Sequence, residues 1–301
     1  MRYTDKARCA LLAAVVIMSA GSAAASNGAR PSAGCAAATI ESGRELHRTI
    51  EVNGTSRSYI LDVPEGIKPQ HAAPLLFDFH GFGHSAAGVW QVSKFKELAA
   101  RDGFITVYPD GLPVHLMGHD GAGWEIFSTD GNRDLAFVTQ LLDQLERTYC
   151  IDRDRVFSTG FSNGAFFSNI VGCIMADRFA AIAPVGGGQI TVPCHPSRAV
   201  PVLIHHGRKD ERVNVEQARQ TRDAWIEKDG CREHSSDGCE WYRGCRDGAE
   251  VGYCEDGGTH SWPLPATERI WEFFKKHPMT GPATAVGAPH APLPTTPNTG
   301  H

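Results

Sequence analysis

Short apolar runs alternate along this chain with longer segments in which apolar residues recur every three or four positions. Pro74-Leu75-Leu76-Phe77-Asp78-Phe79 and Phe104-Ile105-Thr106-Val107-Tyr108 are almost continuously apolar, the pattern of strands buried on both faces. Thr49 to Val52 and Ser58 to Val63 flank Asn53-Gly54 and predict an opening hairpin. Between Asp134 and Tyr149, the residues Leu135, Val138, Leu142, Leu145 and Tyr149 fall on one helical face, with Asp143, Glu146 and Arg147 outside it. Arg155 to Thr159 then reads as a strand, and the apolar positions Phe167, Ile170 and Val171 predict a helix after it. Further strands are expected at Ala181 to Val185, Val200 to His205 and Glu250 to Tyr253, and helices at Asn214 to Lys228 and Ala266 to Lys276. Strands alternating with amphipathic helices predict an α/β class domain with a mostly parallel central sheet flanked by helices.

The chain has 301 residues with 42% hydrophobic content, enough for one large core. Its first residues carry Arg2, Lys6 and Arg8, then the apolar run Ala10 to Ala20 and the small residues Ala23-Ala24-Ala25. That order is the pattern of a secretory signal peptide over 1–25, and the run is short for a bilayer span. Residues 26–45 read as an N-terminal extension, 46–277 as the catalytic domain and 278–301 as a Pro-rich disordered tail. Without the signal, 26 basic side chains face 33 acidic ones, a net charge of −7. No nucleic acid and, after signal removal, no membrane is expected as a partner, and the product is expected to be secreted, extracellular or periplasmic.

Cys9 lies in the signal, which leaves Cys35, Cys150, Cys173, Cys194, Cys231, Cys239, Cys245 and Cys254. An even count in an exported chain predicts disulfides, and the absence of Cys-x-x-Cys pairs argues against a zinc site; no metal and no cofactor are expected. Cys231 with Cys245 is the favoured pair because it closes a short loop. The stretch between them has no clear period and reads as a disulfide-rich inserted loop before the last strand.

Candidate chemistry centres on Gly160-Phe161-Ser162-Asn163-Gly164, between a predicted strand and a predicted helix. Glycines on either side let the backbone close into a sharp turn from which a serine hydroxyl projects, the nucleophile elbow of the α/β-hydrolase fold. Ser162 is then the nucleophile, and it needs a base and an acid later in the chain. Asp210 follows the strand ending His205-His206, with Glu211 the nearest substitute, and His260 lies in Gly258-Thr259-His260-Ser261-Trp262-Pro263 before the last helix. Oxyanion donors are expected from the N–H of Asn163 and, in His80-Gly81-Phe82-Gly83, from the N–H of Phe82. His80, Trp124 and Trp262 are candidate substrate-binding residues; a packed core position is the alternative for His80 and for both tryptophans.

His80-Gly81-Phe82-Gly83, Tyr108-Pro109-Asp110-Gly111, Gly160-Phe161-Ser162-Asn163-Gly164 and Gly258-Thr259-His260-Ser261-Trp262-Pro263 together resemble the polyhydroxybutyrate depolymerase and feruloyl esterase family, grouped with carbohydrate esterase family 1. The likeness runs from about Leu46 to Lys276. It implies an α/β-hydrolase fold, Ser162, Asp210 and His260 as the triad, and an ester substrate. A feruloyl or acetyl ester of plant polysaccharide is favoured over a hydroxybutyrate oligomer, since depolymerases of solid polyester usually carry a separate binding domain. A serine peptidase and a non-catalytic binding protein on the same scaffold are the competing classes.

Overall fold

The computed structural model describes residues 29–188 and 190–279. The expected signal segment and the tail from residue 280 lie outside the described residues. The chain opens with the hairpin β1 (Gly43–Val52) and β2 (Thr55–Val63), turning at Asn53 and Gly54, both at positive φ. β3 (Ala73–Phe79) follows, then two short helices, α1 (Ala86–Val92) and α2 (Phe95–Asp102), and β4 (Ile105–Pro109). A small separate hairpin, β5 (Leu112–Leu116) with β6 (His119–Gly123), leads to α3 (Arg133–Thr148) and β7 (Ile151–Phe161). After β7 come α4 (Asn163–Ile174), β8 (Ala181–Val185), β9 (Val202–Gly207) and α5 (Val215–Asp229). β10 (Glu233–Asp237), β11 (Cys239–Arg243), β12 (Val251–Asp256) and α6 (Ala266–Lys276) complete the described chain.

Ten strands form one sheet in the order β1-β2-β4-β3-β7-β8-β9-β12-β11-β10. The six from β4 to β12 run parallel, and antiparallel hairpins extend the sheet at both ends. Period-two alternation along β3 divides its side chains between the two faces. Leu75, Phe77 and Phe79 join the core under α3 and α4, while Leu76 joins the one under α2 and α6. α5 covers the α4 side through Trp225, whose Nε1 donates to Asn169 Oδ1 at 2.9 Å. Parallel strands put their carboxyl ends on one edge, so the loops after β3, β4, β7, β8, β9 and β12 gather there.

One expectation needs correction. The cysteine-rich stretch is not a loop: it forms β10 and β11, which add to the main sheet beside β12. Its outer strand Glu-His-Ser-Ser-Asp is wholly exposed and has no apolar alternation to read, which is why its strand character is invisible in sequence. Residues 31–35 of the N-terminal extension are fastened around the start of β7. Pro31 bridges Asp152, Ser32 Oγ accepts from Ile151 N and donates to Tyr149 O, and Cys35 is bonded to Cys150. The other disulfides are Cys173–Cys194, the expected Cys231–Cys245, and Cys239–Cys254, which joins β11 to β12.

The tightest packing lies where α4 meets β3. A Cβ on Gly160 would stand 2.5 Å from Gly164 O, and one on Gly164 would press on the carbonyl oxygens of Phe79 and His80. These obstacles are backbone and cannot rotate aside. Gly164→Ala is therefore expected to cost about 1–3 kcal/mol of overpacking, lowering the melting temperature by roughly 4–10 °C; a scanning calorimetry trace unchanged from the parent would show that α4 has room to move.

Asp78, on the other face of β3, is fully buried, and among the described residues neither carboxylate oxygen has a hydrogen-bond partner. Burial pushes its pKa up to about 7, with the nearby Ser93 hydroxyl offsetting little of the rise. Because the folded form holds this proton to higher pH than the unfolded chain, its favourable contribution is complete below about pH 4 and is lost as pH rises toward and through 7. Stability measured by urea midpoint should therefore fall between pH 5 and 8, and Asp78→Asn should flatten that fall. An identical slope in the variant would assign the pH dependence elsewhere, Asp229 being the other carboxyl that burial raises to about 7.

Candidate active site

β7 ends at Phe161 and α4 begins at Asn163, so the whole change of direction falls on Ser162, at φ 55° and ψ −119°. Such a conformation costs on the order of 1–3 kcal/mol for a residue with a Cβ and persists only where its surroundings impose it. Here Ser162 N donates to Val185 O at 2.9 Å, and Ser162 O accepts from Ala165 N and Phe166 N. The hydroxyl projects at the carboxyl edge of the sheet, 2.9 Å from His260 Nε2.

The structure brings the three residues expected from chain order into one row. His260 Nδ1 donates to Asp210 Oδ2 at 2.6 Å. Asp210 Oδ1 accepts from the N–H groups of Arg212 (2.9 Å) and Val213 (2.8 Å). Burial alone would raise the Asp210 pKa; the Val213 N–H, the His260 imidazole and the Arg212 N–H outweigh it, holding the carboxylate below its usual range. An ionised Asp210 fixes the Nδ1–H tautomer of His260 and leaves Nε2 as an acceptor facing the Ser162 hydroxyl. Glu211, the substitute acid, is exposed and has no part in the row.

One residue beside this row left only a weak signal in the sequence. His206, fully buried at the end of β9, donates through Nε2 to Val213 O at 2.9 Å and lies 3.5 Å from Asp210 Oδ2. It closes the turn whose N–H groups hold Asp210. A histidine directly before Gly207 at a strand end was the available hint.

The loop after β3 crosses over the serine: a Cβ on Gly81 would stand 3.3 Å from Ser162 Cβ. Phe82 is the next residue of that loop, and α4 starts at Asn163, whose N–H lacks an intrahelical acceptor. The Phe82 ring lies over the backbone of β6, against Gly121 and Gly123.

His80 and Trp124 both take the core position that was their alternative. His80 is 0% exposed; its Nδ1–H donates to Gly81 O at 2.7 Å and its Nε2 accepts from Gly111 N at 2.9 Å. Burial lowers its pKa, in keeping with a neutral ring. Trp124 is 1% exposed, stacks on Phe167 and donates from Nε1 to His80 O at 2.8 Å. Trp124 directly follows the β5–β6 hairpin, which ends at Gly123. Trp262 differs: it is half-buried beside the site, edge-on to Phe161 and Phe95, with Nε1 donating to Thr267 Oγ1 at 3.0 Å. Phe161, whose ring centroid is 4.8 Å from that of His260, completes an aromatic cluster beside the row.

Residues 57–225 match the family model described as esterase PHB depolymerase. Feruloyl esterase D of Neurospora crassa is 29% identical over 277 residues, covering 82% of this chain and 91% of that protein. A bifunctional acetylxylan esterase/xylanase of Neocallimastix patriciarum is 26% identical over 82% of this chain, which spans 37% of its length. Among solved structures, an acetyl xylan esterase from Aspergillus awamori superposes with a TM-score of 0.62 at 16% identity, over 76% of this chain and 99% of that one. With the family model spanning more than half its length and esterases among its relatives, this chain belongs to the esterase PHB depolymerase family and is a carboxylic ester hydrolase.

Proposed function

We propose that this esterase works through an acyl-enzyme on Ser162 and takes feruloyl or acetyl esters of plant polysaccharide. The observation that carries the reading is the unbroken row from Asp210 through His260 to Ser162. His260 Nε2 takes the Ser162 proton as Oγ attacks the ester carbonyl, and the tetrahedral oxyanion is held by the N–H groups of Phe82 and Asn163. Collapse breaks the bond to the alcohol, which leaves with the proton from His260. Water then gives His260 a proton as it attacks the acyl carbon, and breaking the Ser162 ester returns that proton to Oγ and frees the acid. Asp210 stays ionised throughout and balances the imidazolium.

The substrate class is supported by relatives named as feruloyl and acetylxylan esterases. The half-buried Trp262 beside Phe161 suits a planar phenolic acyl group better than a peptide chain. Four disulfides and the signal-like start support export. The family description also admits a hydroxybutyrate ester, which the same assay separates.

Ser162→Ala should lower kcat on methyl ferulate by about 10⁴-fold or more with the fold intact by circular dichroism; retained turnover would refute an acyl-enzyme on this serine. In parent protein, rates on methyl ferulate or acetylated xylan should exceed those on a hydroxybutyrate trimer, and the reverse order would move the chain to the polyester side of its family. Trp262→Ala should raise KM for methyl ferulate by about tenfold, the size of one lost aromatic contact, and leave that for an acetyl ester within about twofold. Equal changes for both substrates would mean that Trp262 supports the His260 loop rather than the acyl group.

A further inference from the structure

The two N–H groups assigned to the oxyanion come from segments that do not touch each other through their own hydrogen bonds. Phe82 sits in a loop between Gly81 and Gly83, the latter at φ 74°, and Asn163 begins a helix after a strained residue. Both segments are fastened to the same short stretch at the end of β6. Gly83 N donates to Ala122 O at 2.8 Å, on the loop side. On the helix side the Asn163 side chain makes a reciprocal pair with the Trp124 backbone: Oδ1 accepts from Trp124 N at 2.7 Å, and Nδ2 donates to Trp124 O at 3.2 Å. Ala122 and Trp124 are two residues apart along an extended backbone, a spacing of about 6.6 Å.

That stretch is itself immobilised. Trp124 is buried, stacked on Phe167 and bonded through Nε1 to His80 O, while the His80 ring accepts from Gly111 N at the base of the same hairpin. Gly123, between the two anchoring residues, lies so close that a Cβ there would stand 2.8 Å from Asn163 Oδ1.

We propose that the Asn163 side chain is a positioning residue and that the end of the β5–β6 hairpin is the gauge against which both oxyanion donors are set. This rests on Ser162 being the nucleophile. The hairpin thus has a role in transition-state stabilisation although none of its side chains need touch the reacting atoms. A loosened gauge leaves ester binding in place and weakens only the contacts made to the tetrahedral anion, so the loss belongs in kcat and not in KM. The alternative is that Asn163 merely satisfies two buried backbone groups of Trp124. In that case its removal would reduce stability and leave turnover of the folded enzyme alone.

The experiment compares Asn163→Ala, Asn163→Asp and Gly123→Ala with the parent at 25 °C, below each melting temperature. Asn163→Ala should lower kcat ten- to a hundredfold with KM within threefold, and weaken inhibition by phenylboronic acid, which forms a tetrahedral anion on a serine, by a similar factor. Asn163→Asp keeps the acceptor for Trp124 N but loses the donor to Trp124 O, and should fall at least as far. Gly123→Ala leaves Asn163 in the chain while displacing its amide, so the same kcat-selective loss is expected even if the Asn163 variants fold poorly. The Asn163→Ala/Gly123→Ala double variant should be no worse than the larger single loss. A kcat within threefold of parent in Gly123→Ala and in every folded Asn163 variant, or a loss carried by KM, overturns the proposal. Ser162→Ala run alongside separates the two readings: if it keeps full turnover the nucleophile is wrong, whereas if it is inactive and the positioning variants match parent, only the gauge is wrong.

Discussion

The close approach of α4 to β3 is the contact on which the site depends. Ser162 can hold φ 55° only while the strand before it and the helix after it are both pinned, and the pinning is backbone against backbone at Gly160 and Gly164. Two absent side chains therefore do what no added side chain could. They let the helix start directly over the end of β3, which brings the β3 loop across Ser162. The Ser162 hydroxyl stands within hydrogen-bond reach of His260 Nε2. A site assembled this way is preorganised by packing, and its strain is offset by the core beneath it, where Phe79, Trp124 and Phe167 meet ring to ring.

Much of this was legible in the sequence because local signals agreed with the overall fold. The run Leu75 to Phe79 reads as buried strand and is one, and the three-and-four spacing from Leu135 to Leu145 marks the helix that covers it. Ser162, Asp210 and His260 were legible as a set because chain order restricts where an acid and a base can lie. The positions that the sequence left open share a physical origin. His80 and Trp124 are polar-tipped or amphipathic rings near glycine-rich loops, and sequence cannot distinguish a ring that lines a cleft from one that turns inward to satisfy a backbone group. Each turned inward because the β5–β6 hairpin and the β3 loop needed a hydrogen-bond partner in a dry interior. α1 and α2 left little trace because they are short, although Ser85 caps the first through Gly88 N and Gly103 ends the second at φ 75°.

The cysteine-rich stretch shows a different limit. As a loop between acid and base it would have been free to reshape the cleft; as β10 and β11 it lies on the sheet edge beyond β12. Its outer strand exposes Glu233, His234, Ser235, Ser236 and Asp237, charged and polar side chains that discourage pairing with another chain at an open edge. A two-stranded addition with so little apolar surface has weak packing of its own. The disulfides Cys231–Cys245 and Cys239–Cys254 replace what the side chains lack, one closing the hairpin and the other fastening it to β12.

That fastening matters because β12 delivers the base. β9 and β12 pair in parallel as far as Gly207 and Asp256, and the loops beyond continue the register: Arg208 N donates to Asp256 O and Lys209 N to Gly258 O, both at 2.8 Å. Gly207 permits this, since a Cβ there would meet the carbonyl oxygens of Gly258 and Thr259. Glu255 adds a side-chain tie, accepting from Arg208 on the acid loop and from Arg219 on α5. Ion pairs this exposed contribute little stability by themselves. Their consequence here is geometric: the acid loop and the base loop cannot shift separately, so the 2.6 Å contact between Asp210 and His260 is inherited from strand pairing. The proposed acid and base are thus held by one strand pair, and the proposed oxyanion donors are tied to another part of the molecule, the end of the β5–β6 hairpin.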